Sequence, residues 1–240
     1  MHLSTLKFAS RALSASLCGC VFSFSAYAAN ITLVNQGLEL TYPISVRLEQ
    51  ALNDTHKVLG YSPYALGAVL TNPSKQNDVI ELKQQVFSQL DDLASAESTE
   101  LKTQLSTLNY VAREFIHLDL DWVRVKPKHD PLLNGTYQLR IGKMPTTFQV
   151  MGLLPKPQSI DLKGNVHLGS YLEPLEHFKA GDINHPYLIQ PDGNVIEANL
   201  SYWHNERYYP APGALVFIGY KNNPELNQQI AQLLRHAVKN

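Results

Sequence analysis

Two periodicities run through the chain. Ile31-Thr32-Leu33-Val34 predicts a first strand, and Gly37 to Tyr42, where apolar and polar residues alternate, predicts a second. Pro43 ends it, and Val46 to Leu52 predicts a short helix. The strongest helical signal follows: Val79, Leu82, Val86, Leu90 and Leu93 recur at helical spacing, with Asp78 and Glu81 placed as a capping box. After a polar break at Ser95 to Ser98, Leu101, Leu105, Leu108 and Val111 form another stripe, so a helical hairpin is predicted over about residues 78–112.

Phe115 to Val125 alternates as a strand would, with a phase slip at Trp122-Val123 that predicts a bulge. Tyr137 to Ile141 predicts a strand, and beyond Met144-Pro145 the texture turns to β. Phe148 to Leu153 is a predicted strand, and Val166 to Leu172 a strand or a short lead into helix. Tyr187 to Gln190 and Val195 to Ala198 flank a Pro191-Asp192-Gly193-Asn194 turn as a hairpin. The continuously apolar Leu215 to Ile218 predicts a strand buried on both faces. Leu226, Ile230, Leu233, Leu234 and Ala237 give a last helix, introduced by Asn223-Pro224. Its amide-rich polar side argues against a basic membrane-surface helix and predicts packing on its own domain. The reading is an α+β chain: residues 29–143 form one mixed domain carrying the hairpin, residues 144–222 a second, and residues 223–240 the amphipathic helix.

The N-terminus changes the picture. Lys7 and Arg11 precede an uncharged apolar run, Ala12 to Ser25, and Ala26-Tyr27-Ala28 has the small-x-small pattern of a signal-peptidase site. The run is shorter than the roughly 20 apolar residues a spanning helix needs. Residues 1–28 therefore read as a cleaved secretory signal and the protein as periplasmic, not transmembrane. Leu17-Cys18-Gly19-Cys20 resembles a lipobox, but the apolar Val21 to Phe24 continues where a polar tether is expected, so lipidation of Cys20 is the lesser reading. Both cysteines lie here, which leaves the exported chain without disulfides, zinc-thiolate sites or a cysteine nucleophile. A net charge of -1 with interspersed signs disfavours nucleic acid as a partner.

Candidate chemistry is sparse. His117, Asp119 and Asp121 would share one face of the predicted strand, but side chains at i, i+2 and i+4 spread over about 13 Å and do not converge on one metal ion. Glu173 and Glu176 are spaced for one helix face, where Pro174 near a helix start assigns them a dipole role. There is no Gly-x-Ser-x-Gly elbow, no His-Glu-x-x-His and no Gly-rich phosphate loop. Arg113, placed at the end of the second hairpin helix, has two readings: a cation on a helix C-terminus, or a guanidinium held in a cleft for a carboxylate, phosphate or sugar. Tyr202, Trp203, His204, Arg207, Tyr208 and Tyr209 form either a sugar-stacking surface or the corner before the last strand; we read the cluster as the corner, with Trp203 buried in it.

Several motifs, in order, resemble the GfcC-type capsule-biosynthesis family of periplasmic proteins. They are Arg113 with Leu120-Asp121, Asp130-Pro131-Leu132-Leu133-Asn134-Gly135-Thr136-Tyr137, Leu188-Ile189-Gln190-Pro191-Asp192-Gly193, Tyr202-Trp203-His204-Asn205, Pro212-Gly213-Ala214, and Leu226-Asn227-Gln228-Gln229-Ile230 with Leu233-Leu234-Arg235-His236. The resemblance implies two tandem β-grasp (ubiquitin-like) domains, with the helical hairpin inserted in the first and the amphipathic helix at the end. It also implies similarity to the corresponding domains of outer-membrane polysaccharide exporters. The function implied is a non-enzymatic accessory role in capsule or exopolysaccharide export in Gram-negative bacteria, with the export machinery or the polysaccharide as partner and room for a homodimer. No cofactor, metal or catalytic residue is expected. The cleft expected from these pieces draws on Arg113, Asp121, Trp203 and Arg207. The alternative is a glycan-modifying enzyme with an interdomain cleft around Arg113. The family arginine follows the inserted helices and lines a polar cleft; here it sits between Ala112 and Glu114, where a glycine and an apolar residue are usual.

Overall fold

The computed structural model describes residues 29–201, 203 and 206–238. The predicted signal, with Cys20, lies outside the described residues, as do Tyr202, His204 and Asn205. In the first half, β1 (Ala29–Leu33) alternates buried and half-buried residues and turns through Gly37, at φ 63°, into β2 (Leu38–Tyr42). After β3 (Val46–Arg47), α1 (Leu48–Leu59) buries Leu48, Ala51, Leu52 and Thr55 and stops at Gly60, whose left-handed φ of 67° lets its N–H cap the His56 carbonyl. The chain then forms β4 (Val69–Thr71), α2 (Gln76–Asp92), α3 (Ala96–Ser106), β5 (Asn109–Tyr110), α4 (Leu120–Val125), β6 (Leu132–Leu133) and β7 (Gly135–Arg140). The first sheet has the order β2-β1-β7-β4, with β1 and β7 parallel and the other pairs antiparallel. The short β3 and β6 pair separately.

The second half contains β8 (Thr147–Gly152), β9 (Gln158–Asp161), α5 (Leu168–Leu172), β10 (Tyr187–Ile189), β11 (Val195–Glu197), β12 (Leu215–Ile218), α6 (Pro224–Leu234) and β13 (Ala237–Val238). Its sheet has the order β11-β10-β12-β8-β9, with β8 and β12 parallel and the rest antiparallel. Both sheets are thus wound alike. An antiparallel hairpin leads to a helix, and the sheet's last strand lies parallel to the hairpin's first, flanked by an antiparallel strand from between. Among the described residues no helix is long and apolar enough to cross a membrane.

Three apolar cores result. One joins α1 and α4 to the first sheet through Ile31, Leu33, Leu52, Leu70, Val123 and Leu139. The second sheet is covered on both faces, as the apolar run in β12 predicts: Val216 and Ile218 face α5, while Phe217 faces the helices α2, α3 and α6. The helical hairpin, inserted in the first half of the sequence, therefore packs Val79, Val86, Leu90, Leu101 and Leu105 against the second sheet and α6. Buried Gln104 fastens it there, donating to the Leu154 carbonyl and accepting from the Gly152 N–H, both at 3.0 Å. The last helix serves two partners, its own sheet and α2, rather than its own domain alone.

Some expectations need correction. No strand spans 115–125; its second part is α4, because the Asp119 side chain accepts from the Asp121 and Trp122 N–H groups and starts a helix. The first hairpin helix begins at Gln76 without the predicted Asp78–Glu81 box, and the capping box is instead Ser95–Ser98 on α3. That helix ends at Ser106, short of Val111, because Asn109 and Tyr110 pair with β13. Helix α5 ends at Leu172, so Glu173 and Glu176 follow a helix end rather than open one. Trp203 is 87% exposed, not the buried heart of a corner.

Candidate functional site

A cavity of about 280 Å³ opens where the ends of the first sheet meet the ends of the second. From the first half it is lined by Tyr64, Arg113, Arg140 and Lys143, and from the second by Gln149, Gln190 and the prolines 191 and 212. Arg113 sits not at a helix end but on an irregular segment laid along β4. There it forms an isolated antiparallel bridge with Thr71, between hydrogen bonds from Asn72 N–H to the Ala112 carbonyl and from Glu114 N–H to the Leu70 carbonyl, at 2.9 and 2.8 Å. On its other side Val111 N–H donates to the His236 carbonyl at 3.0 Å, tying the same segment to the C-terminal tail. The Lys75 ammonium pairs with the Glu114 carboxylate at 2.7 Å, over the surface.

The half-buried Arg113 guanidinium reaches across to the second half. Nη1 donates to the Arg235 carbonyl at 3.1 Å and Nη2 to the Pro191 carbonyl at 2.6 Å. Arg235 in turn donates through Nε to the Gly193 carbonyl at 2.6 Å, and its guanidinium lies 4.0 Å from the Phe115 ring centroid. His236 meets the same ring edge-on at 5.1 Å. Gly193 is obligatory here: its φ is 87° and a Cβ would stand 2.5 Å from the Phe115 ring. Burial draws the Arg113 pKa down to about 10, with Asp192 opposing and Arg235 reinforcing the shift, so the group keeps its charge at neutral pH. Burial also lowers His236, opposed by its hydrogen bond to the Val111 carbonyl and aided by Arg113 and Arg235. The Tyr64 hydroxyl is buried in the described structure without a hydrogen-bond partner, and burial and then Asp192 raise its pKa, keeping it a neutral donor.

On the far side of Arg113 a smaller hollow of about 200 Å³ is lined by Glu114, His117, Asp119, Trp122 and Asp192. His117, Trp122 and His129 form a ring cluster beside it, with centroids 5.2 to 6.1 Å apart. Among the described residues no group of three His, Cys, Asp or Glu side chains is arranged to hold a metal ion.

Of the four residues expected at a cleft, the fold places only Arg113 there. Asp121 stands on α4 with its side chain 94% exposed, 3.7 Å from Arg124. Trp203 and Arg207 are exposed on the loop before Pro210, and neither lines the Arg113 cavities. Sequence reasoning missed Tyr64, Arg140 and Lys143. Arg140 closes a strand that was legible, but nothing local says that the strand's end faces the other sheet. Tyr64 belongs to an irregular stretch, and its one local signal is Gly67, where a Cβ would stand 2.6 Å from the Tyr64 ring.

Comparison with known proteins finds family matches in both halves of the sequence. The family described as "Capsule biosynthesis GfcC, N-terminal" matches residues 25–144, and "Capsule biosynthesis GfcC C-terminal" matches residues 156–239. The chain is also 29% identical over 157 residues to "Uncharacterized protein YjbG" of Escherichia coli (strain K12), a match that covers 63% of this chain and 63% of that relative's length. With both family regions present in order over most of its length, the chain belongs to the GfcC capsule-biosynthesis family.

Proposed function

We infer that this chain is a periplasmic, non-enzymatic accessory protein of capsule or exopolysaccharide assembly and export, which holds a segment of glycan in the cleft around Arg113. Family membership implies involvement in capsule biosynthesis. The Lys7, Arg11 and Ala26-Tyr27-Ala28 pattern supports export. The shared winding of the two sheets, with the last strand parallel to the first, supports reading them as tandem β-grasp modules. The observation that carries the function is the cleft itself. Arg113 holds its far wall by two backbone carbonyls, so the cavity is built in advance and costs little ordering when a ligand enters.

The lining favours holding over transforming. Its polar side chains are guanidinium, ammonium, amide and hydroxyl groups, which donate hydrogen bonds to sugar oxygens. The paired carboxylates that glycoside hydrolysis calls for do not belong to that lining. Removing the gene is expected to change the amount or length of surface polysaccharide, and a wild-type copy restores it. Surface polysaccharide unchanged in both respects would refute the role.

A further inference from the structure

We propose that the cleft around Arg113 selects an acidic saccharide, seating the carboxylate of a uronic acid residue among Arg113, Arg140, Lys143 and Tyr64; the inference rests on the glycan-holding reading above. Three of the residues lining this cavity are cations, and no aspartate or glutamate is among its described lining residues. Arg140 is half-buried, yet it takes part in none of the ion pairs among the described residues. Lys143 lies over the Tyr61 ring, 5.9 Å from its centroid, with no carboxylate partner among them. An anion entering this concavity meets cations on its wall and no carboxylate among the described lining residues.

A second, independent sign points the same way. The Tyr64 hydroxyl is buried without a partner, an unfavourable state in the empty protein that a ligand accepting from it relieves. Arg113 uses two of its donors on the Pro191 and Arg235 carbonyls, and the rest of its guanidinium fork remains for a ligand. Asp192 is the opposing charge that acts on this group of residues. It is felt by Tyr64, Arg113 and Arg235 but forms the wall of the smaller hollow behind Arg113, and its oxygen accepts from Asn194 N–H in the turn. One carboxylate outside the lining, against Arg113, Arg140 and Lys143 within it, leaves the cleft positive.

The test is titration of the purified, ¹⁵N-labelled protein with three probes: short oligogalacturonides, the same oligomers after reduction of their carboxyl groups, and inorganic phosphate. The expected result is saturable shifts at the amides of Tyr64, Gly142, Gln149 and Gly213 with the acidic oligomer, at least about tenfold tighter than with the reduced one, as for loss of a charge-assisted contact. Raised salt should narrow that gap. Arg140→Gln should remove most of the preference, and Tyr64→Phe should weaken acidic binding without lowering Tm, because it deletes an unpartnered hydroxyl. Equal binding of acidic and reduced oligomers would overturn the acidic selectivity while leaving the glycan-holding reading in place. Phosphate binding as tightly as the oligomer would overturn the saccharide source. Shifts with none of the probes would overturn the inference, whereas the glycan-holding reading is tested separately by titration with oligosaccharides cut from the cell's own capsular polysaccharide.

Discussion

Replacing Arg113 with alanine removes two charge-assisted hydrogen bonds and leaves the Pro191 and Arg235 carbonyls facing a void. At about 1.5–3 kcal/mol per such bond, less what water recovers, the expected loss is about 3 kcal/mol, read as a lower urea midpoint. Arg113→Lys should recover only part of it, since one ammonium cannot reproduce a fork aimed at two separate carbonyls. His236 adds a pH dependence. Its pKa lies below the ordinary 6.5 because of burial and the neighbouring Arg113 and Arg235, against the pull of the Val111 carbonyl. The unfolded chain then binds the proton more readily, so stability is full above about pH 6.5 and falls as the pH drops toward the folded-state value. The drop in urea midpoint between about pH 7.5 and about pH 5 should be smaller in His236→Gln than in the wild type. Trp203, being 87% exposed, gives up little burial on truncation: Trp203→Ala should cost less than the roughly 3–5 kcal/mol of a buried aromatic, read by thermal melt.

At the scale of elements, the hairpin α2–α3 is a strut between the halves. Gln104→Leu is the direct probe of it. The leucine leaves the Leu154 carbonyl and Gly152 N–H buried and unpaired, and the variant should lose about 2–4 kcal/mol in equilibrium unfolding. Helix α6 completes the strut, with a hydrogen bond between Gln89 and Gln229 and the buried Leu226, Ile230 and Leu233. The sequence made the hairpin, β12 and α6 legible because their apolar stripes are long and regular. Where polar residues carry out structural work, the pattern misled. The helix predicted over 46–52 runs to Leu59 because buried Thr55 satisfies its own hydroxyl on the Ala51 carbonyl, at 2.8 Å. Asp119 looked like an outward strand residue and is a helix cap. The candidate site was legible only in Arg113, since Tyr64, Arg140 and Lys143 meet it across the fold, and no period along the chain encodes that meeting.

At the scale of the molecule, two similarly wound sheets are fixed to one another by elements that belong to both. The hairpin of the first half packs on the second sheet, the C-terminal strand pairs with the strand after the hairpin, and Arg113 crosses from β4 to the turn after β10. Such bracing keeps the cleft open and shaped before any ligand arrives, which suits a protein that holds a polymer rather than one that closes on it. The measurement that tests this account most directly is calorimetric titration of the purified protein with oligosaccharides cut from its own cell's capsular polysaccharide, with their chain length checked before and after. The account predicts saturable binding that Arg140→Gln weakens, and oligosaccharides recovered at unchanged length; heat at the level of dilution alone, or shortened chains, would contradict it.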